Sequence, residues 1–450
     1  MKSIKLKIPR IRLGNSYQIL LAPVLLLIVS LIAVSVPQTK QVLSVSHDYP
    51  PVICPGALSG GTQTISLPTK NLQIRGVGSK SLKLSTTPLT QLGSNSNPTY
   101  ISGNSGSEIA FNTIGGSISA AAVCSVGGPS EWFIGGSAGV TSAGVLNIVN
   151  SGLSESSVMI YPYTSKVALA PIPVKIKANS DSKISLSSIA PGESSVALNV
   201  VTQSGRVTNF LLDHQKQGLR ELGASFVNPV FSPTKKVFIG GLFNATGKNA
   251  STSHLMRFLV PGSINANISM TVYSGDGSFT PVGFDQLSIT HQKVIDIALP
   301  TFNASSPLGI EINSDQPLFA SVLTNPQARG GSDYAWATQL SPISKFALNL
   351  AGNSASFVFM GQQVSLGLSW QGANGKTQRA SLDSPDVVVW KPTETIRGLT
   401  ITPRVKTPIY GGAVLTNPGG TSLNYLPLLA NQVLAGASLP TLDIRTLTHD

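Results

Sequence analysis

Residues 132–139 read WFIGGSAG and contain G-x-S-x-G, which puts Ser137 where a serine hydrolase carries its nucleophile. That chemistry needs the serine on a sharp strand-to-helix turn, with an acid and a histidine later in the chain. Gly139 instead leads into VTSAGVLNIVN, which reads as the start of a strand. The block also recurs as VFIGGLFN from Val237, with Leu242 in the serine position. Gly-Gly after an apolar strand is a turn, so the expectation is that Ser137 is structural and that the chain is not an enzyme.

Other chemistry-bearing residues are dispersed. His47, His214, His254, His291 and His449 show neither H-E-x-x-H nor H-x-H spacing, so no metal site is expected. Asp276 in SGDGS and Asp181 in NSDSK resemble fragments of calcium loops but lack the further acidic ligands and read as turns. Paired carboxylates for glycoside hydrolysis meet only in space, and the 19 acids form no recognisable motif. Sequons begin at Asn244, Asn249, Asn267 and Asn303, as chance allows in a chain rich in Asn, Ser and Thr. Aromatic residues offer binding chemistry instead. Trp370 and Trp390, on neighbouring strands, or Tyr161 and Tyr163, alternating onto one face, would stack on a sugar if exposed and coplanar. The competing expectation is that these rings fill cores and interfaces. No cofactor is expected.

The elements that position these residues are strands. Only 11% of residues are charged while 41% are hydrophobic, in short alternating runs, which suits an all-β exported protein. One segment recurs four times: EIAFNTIGGSISAAAVCS from Glu108, VALNVVTQSGRVTNFLLD from Val196, LGIEINSDQPLFASVLTN from Leu308 and GLTITPRVKTPIYGGAVLTN from Gly398. Each reads as an apolar strand, a polar turn and a second strand, the pattern of a hairpin. Strands ending in polar turns recur upstream, at SSVMIYPYTS, ANISMTVYSGDG and QQVSLGLSWQGANG. The period of roughly 90–110 residues is that of an immunoglobulin-like sandwich. The expected fold is therefore tandem antiparallel β-sandwiches, with a β-propeller-like arrangement of the repeats as the alternative. The one helical candidate after the N-terminal region is HQKQGLRELG from His214, between the second and third units.

The N-terminus supplies an address. Lys2, Lys5, Lys7, Arg10 and Arg12 provide five of the net +12 charges, leaving a mild +7 and no basic stripe for nucleic acid. The uncharged run Ile19–Val36 comes next, long enough at about 1.5 Å per residue to approach a bilayer core of roughly 30 Å. It reads as a single-pass anchor with the N-terminus cytoplasmic, or alternatively as a signal peptide cut near Ser35. Cys54 and Cys124, both beyond it, form an even pair expected to be a disulfide in an oxidising compartment.

The expected organisation is a basic head (1–18), the apolar run (19–36), a linker (37–49) and β unit 1 with the disulfide (50–130). Then come unit 2 (131–213), a linker (214–236), unit 3 (237–326), unit 4 (327–420) and a tail (421–450). CPG at Cys54, the Cys124-to-Gly136 block ending in WF-GG, LNIVNSG at Leu146, SGRVTNFLLD at Ser204 and GASFVNPV at Gly223 together resemble an exported actinobacterial family, domain of unknown function 5719. Asn150-Ser151 departs from the Asn-Pro typical of that family. The resemblance implies a membrane-tethered envelope protein and lends no catalytic residues. The functional expectation is a non-enzymatic envelope scaffold whose partner is a cell-wall polysaccharide or an envelope protein. A carbohydrate-binding protein and an envelope hydrolase are the alternatives.

Overall fold

The computed structural model describes residues 50–428 apart from 59–60, 90, 94–96, 104–107, 116–117, 245–250, 276, 303–306, 328–332, 350–353, 373, 394–395, 397 and 417–421. The apolar run Ile19–Val36 lies outside the described residues. Among those described, no helix is long and apolar enough to cross a membrane.

Alternation builds the strands. Ser156–Thr164 buries every second residue, as does Ala266–Ser274, so each lays one apolar face on a core. The first unit comprises β1 (Val52–Cys54), β2 (Thr62–Ser66), β3 (Leu72–Gly76), β4 (Ser85–Thr87), β5 (Gln91–Leu92), β6 (Thr99–Ser102), β7 (Glu108–Gly115) and β8 (Ile118–Val123). The second comprises β9 (Ser130–Ile134), β10 (Val145–Asn150), β11 (Ser156–Thr164), β12 (Ile172–Ile176), β13 (Ser180–Ser185), the one-turn helix α1 (Leu186–Ile189), β14 (Val196–Ser204), β15 (Thr208–Gln217) and β16 (Arg220–Val227). The third holds β17 (Thr234–Leu242), β18 (Ser251–Leu259), β19 (Ala266–Ser274), β20 (Gly277–Phe279), β21 (Leu287–Ile289), β22 (Val294–Ala298), β23 (Leu308–Gln327) and β24 (Ala335–Thr338). The fourth holds β25 (Phe346–Asn349), β26 (Ser354–Gly361), β27 (Val364–Gln371), β28 (Thr377–Ser384), β29 (Val387–Trp390), β30 (Leu399–Pro403), β31 (Ile409–Thr416) and β32 (Leu423–Pro427).

Each unit is a pair of sheets. In the second, β12-β11-β14-β9 faces β13-β10-β15-β16 across Leu146, Ile148, Val158, Ile160 and Leu198. The fourth repeats this order as β28-β27-β30-β25 and β29-β26-β31-β32. In the third, both sheets share β23, whose first half pairs with β17 and β19 and whose second half pairs with β18 and β24. The first pairs β1-β6-β3-β4 with β5-β2-β7-β8, and Cys54–Cys124 joins β1 to the residue after β8.

The repeated segments are hairpins in only one copy. β7 and β8 pair with each other, but β14 and β15 enter opposite sheets, as do β30 and β31. Both halves of each segment alternate because each lines the core. The intervening residues, Gly205–Val207 and Arg404–Pro408, carry the chain across the core instead of back alongside itself. Sequence HQKQGLRELG is no helix either: it is the β15–β16 hairpin, turned at Gly218, whose φ is +61°.

The units are not beads on a string. β25 of the fourth pairs in parallel with β7 of the first, making one continuous sheet β28-β27-β30-β25-β7-β2-β5. The last strand of each unit closes a ring: β8 packs on β16 and β32, and β24 packs on the same two. All described residues belong to one unit, His47–Ala437. β16 and β32 fall where the sequence reads as linker and tail, and β24, at the start of the stretch read as unit 4, pairs with β23. These closing strands are buried on both faces, as in ISAAAV, AWAT and LNYLP, so they carry no period-2 signal.

Candidate functional site

Ser137 lies in the loop after β9, half-buried, where its Oγ accepts a hydrogen bond from Gly139 N at 3.2 Å. It borders a cavity of about 370 Å³ between the second and third units, with Ser195, Asp213, Arg257, Asp296 and Trp336 among the walls. The lining contains no histidine. The strand-to-helix turn of a nucleophile elbow is absent too, since the chain leaves Gly139 through a turn into β10.

The glycines of the motif have a packing role. Gly136 adopts φ +98°, and its carbonyl accepts from Arg257 Nη1 at 2.6 Å. The second copy, Gly240-Gly241, meets Gly412 of β31 so closely that a Cβ on Gly412 would stand 2.0 Å from Gly240 O. Gly-Gly therefore recurs at contacts between units, against the Trp336 and Arg257 side chains in one copy and against the Gly412 backbone in the other.

Arg257 is a lone cation in the apolar run LMRFLV of β18, and it is 2% exposed. Its Nε and Nη2 donate to the two oxygens of Asp296, both at 2.7 Å. Nη1 also donates to Val196 O at 2.9 Å, and the guanidinium stacks over Trp336 at 4.8 Å. Ser195 Oγ donates to the same Asp296 at 2.7 Å. A buried, bidentate, fully hydrogen-bonded pair of this kind fixes geometry more than it adds net stability. Here it holds the third unit on the second. Trp336 extends the joint, its Nε1 donating to Asp213 Oδ2 at 2.8 Å and its N to Ser225 Oγ at 3.0 Å. Ser321 Oγ donates to Ile134 O across the same boundary.

At the ring of closing strands stands Asp333, 2% exposed. Its Oδ2 accepts from Ser119 N of β8 at 3.2 Å and from Leu423 N of β32 at 3.1 Å. Its Oδ1 accepts from Ala224 N of β16 and from Tyr334 N, each at 3.1 Å. One carboxyl thus receives backbone donors from three other units' closing strands and from Tyr334, the residue before β24. Burial pushes Asp333 up to about 7, while the four amides pull the other way. Glu131 is buried in the second unit and raised to about 7 by desolvation, against donors from Asn209 and Gly128 N.

The remaining sequence candidates are dispersed. His214 pairs with Glu221 at 2.6 Å, and His291 Nδ1 lies 2.7 Å from Asn265. His254 is buried beside Thr324 at 3.1 Å and lowered to about 4 by desolvation. His47, His449, Asp276, Asn249 and Asn303 lie outside the described residues. No three His, Cys, Asp or Glu side chains among the described residues gather to hold a metal ion. Asp181 stands on β13, and Asn244 is buried, donating to Phe302 O at 2.9 Å. Asn267 is exposed and bonded to Asp315.

Trp370 and Trp390 are not coplanar. They are half-buried and tilted 57° to one another, with Trp390 also on Phe357 at 5.1 Å. Tyr163 packs on Trp132 at 5.7 Å, and Trp132 packs on Phe319 of the third unit at 4.7 Å. Tyr161 shares the face of Tyr163 on β11, half-buried. Trp370, Trp390 and Tyr163 finish cores and joints, in a chain with few aromatics for so many interfaces.

Sequence reading missed Asp333, Arg257, Asp296, Asp213 and Trp336. The signal that points to such residues is a charge within an apolar strand, as in LMRFLV. A family model matches residues 112–382, more than half of the chain, from β7 to β28. The chain belongs to DUF5719, a family of unknown function. The matched span of this DUF5719 protein contains Arg257, Asp296, Asp333 and the Gly-Gly copies at 135 and 240. No curated protein matches the chain.

Proposed function

We propose that this DUF5719 protein is a non-enzymatic scaffold of the cell envelope. It is held in the membrane by Ile19–Val36, with the basic head cytoplasmic and the β units outside. The carrying observation is the use made of buried polar groups. Asp333, Arg257–Asp296 and Trp336–Asp213 each join different units, so the most conspicuous polar chemistry of the interior holds one ring of sheets together. The Cys54–Cys124 disulfide supports an oxidising, extracytoplasmic environment. A rigid body of this size on a membrane stalk can present a fixed surface to a cell-wall polysaccharide or to an envelope protein.

Two experiments test this reading. A Leu219→Cys variant carries a thiol on a fully exposed hairpin tip. In intact cells it is expected to react with a membrane-impermeant maleimide and to fractionate with membranes. Protection from the reagent would overturn the outward placement, and release into the medium would show cleavage near Ser35. Photo-crosslinkers at the exposed Leu219 and Val282 are expected to give discrete adducts with wall polymer or one envelope protein. Substrate turnover by the purified chain, abolished by Ser137→Ala, would replace the scaffold with a hydrolase.

A further inference from the structure

A second cavity, of about 390 Å³, lies between the first and second units and is separate from the joints described above. Its floor is the outward face of β10, β13, β15 and β16, and its opposite wall is made by Pro55–Leu58 and Gly61, next to Cys54. Alternation sets that floor. Leu146 and Ile148 of β10 turn into the sandwich core, which leaves Val145 and Asn147 on the other side. Phe210, Leu212 and Phe226 continue the apolar surface, with Phe210 and Phe226 each 5% exposed.

Two polar groups interrupt it. Asn147 is 9% exposed, and its Oδ1 is buried without a hydrogen-bond partner, a costly arrangement for an amide in an apolar wall. Lys183 stands directly opposite Asn147 on β13, exposed at the rim, and makes no ion pair among the described residues. Side chains opposed across antiparallel strands lie about 5 Å apart at Cβ, so the amide and the ammonium address neighbouring atoms of one head group. The nearby His214 is already engaged by Glu221 at 2.6 Å. An apolar slot of this volume with a few convergent polar groups is the usual form of a small-molecule site.

We propose that this cavity binds a small amphipathic carboxylate carrying a hydrogen-bond donor beside the acid group, as an N-acyl amino acid does. The acyl body lies on Phe210, Leu212 and Phe226, the amide pairs with Asn147, and the carboxylate meets Lys183. The head group supplies the partner that Asn147 lacks, and the acyl chain fills the cavity against half-buried Leu212. The site is independent of the scaffold reading and survives its failure.

The test uses the purified full chain and N-dodecanoylglycine with a diazirine in its acyl chain. Photolabelling is expected to be saturable, to be competed by unlabelled N-dodecanoylglycine, and to map to peptides holding Leu58, Phe210 or Phe226. Lys183→Glu and Asn147→Leu are each expected to weaken labelling at least tenfold. The methyl ester, which removes the charge, is expected to label as weakly as Lys183→Glu does with the acid. Oxidation of Cys54–Cys124 and an unchanged melting temperature verify that the variants fold. Labelling spread over the surface, or unchanged in both variants, overturns the site. Equal labelling by acid and ester overturns the assigned chemistry.

Discussion

Replacing Asp333 with Ala removes the acceptor shared by Ser119 N, Ala224 N, Tyr334 N and Leu423 N. Burial raises this carboxyl to about 7, so above that pH it is ionised and both oxygens accept. What matters is the acceptor oxygens. A buried donor left unpaired costs about 1–3 kcal/mol, so four at the low end give about 4 kcal/mol for Asp333→Ala. Asp333→Asn keeps one acceptor oxygen and turns an NH2 towards the other two amides, which predicts about half that loss. Urea denaturation at pH 8, monitored by tryptophan fluorescence and far-UV circular dichroism, is the assay. Both probes should shift together, since the donors belong to strands of every unit. A loss below about 1 kcal/mol for Asp333→Ala would refute the reasoning, because it would mean that the four amides are paired without the carboxyl. A loss seen by only one probe would show that the units unfold separately.

Other perturbations draw on the same geometry. Glu131 and Asp333 hold their protons up to about pH 7 in the folded chain but release them near pH 4 when unfolded. Stability contributed below the unfolded values is therefore lost as pH rises through 7, by roughly 1–2 kcal/mol for the pair between pH 6.5 and 8. His254 is neutral in both states over most of that window, and Glu108, raised to about 8 by desolvation, adds to the loss, so urea midpoints should fall with pH and Glu131→Gln should flatten the slope by about a quarter. Gly412→Ala would bring a Cβ to 2.0 Å from Gly240 O and force β31 from β17, costing about 3 kcal/mol or more, read as a lower melting temperature. Replacing Cys54 and Cys124 with Ser opens a loop of 70 residues and should cost about 4 kcal/mol, measured by denaturation with and without reductant.

Much of the architecture is legible in the sequence, but the ring is not. β11 and β19 alternate because one face of each meets a core and the other meets solvent or a neighbouring unit, so period 2 identifies them. β8, β24 and β32 touch protein on both faces, and their short Ala-, Thr- and Leu-containing runs carry no period. The crossing of β14 to β15 looks like a hairpin because a local pattern reports which residues are buried and not which sheet they join. The site residues fare likewise. Asp333 and Ser119 are 214 positions apart, so no local pattern links them. The Gly-Gly repeat, by contrast, is visible in the sequence, and both copies stand at contacts between units, Gly136 with Arg257 and Gly240 with Gly412.

Native-state hydrogen exchange at the amides of Ser119, Ala224, Tyr334 and Leu423 tests the closed ring most directly. If Asp333 holds all four, they are expected to exchange only through global unfolding, with one common free energy and one common denaturant slope. Exchange of any one of them through a local opening several kcal/mol lower would show that its unit moves independently and would contradict a single body.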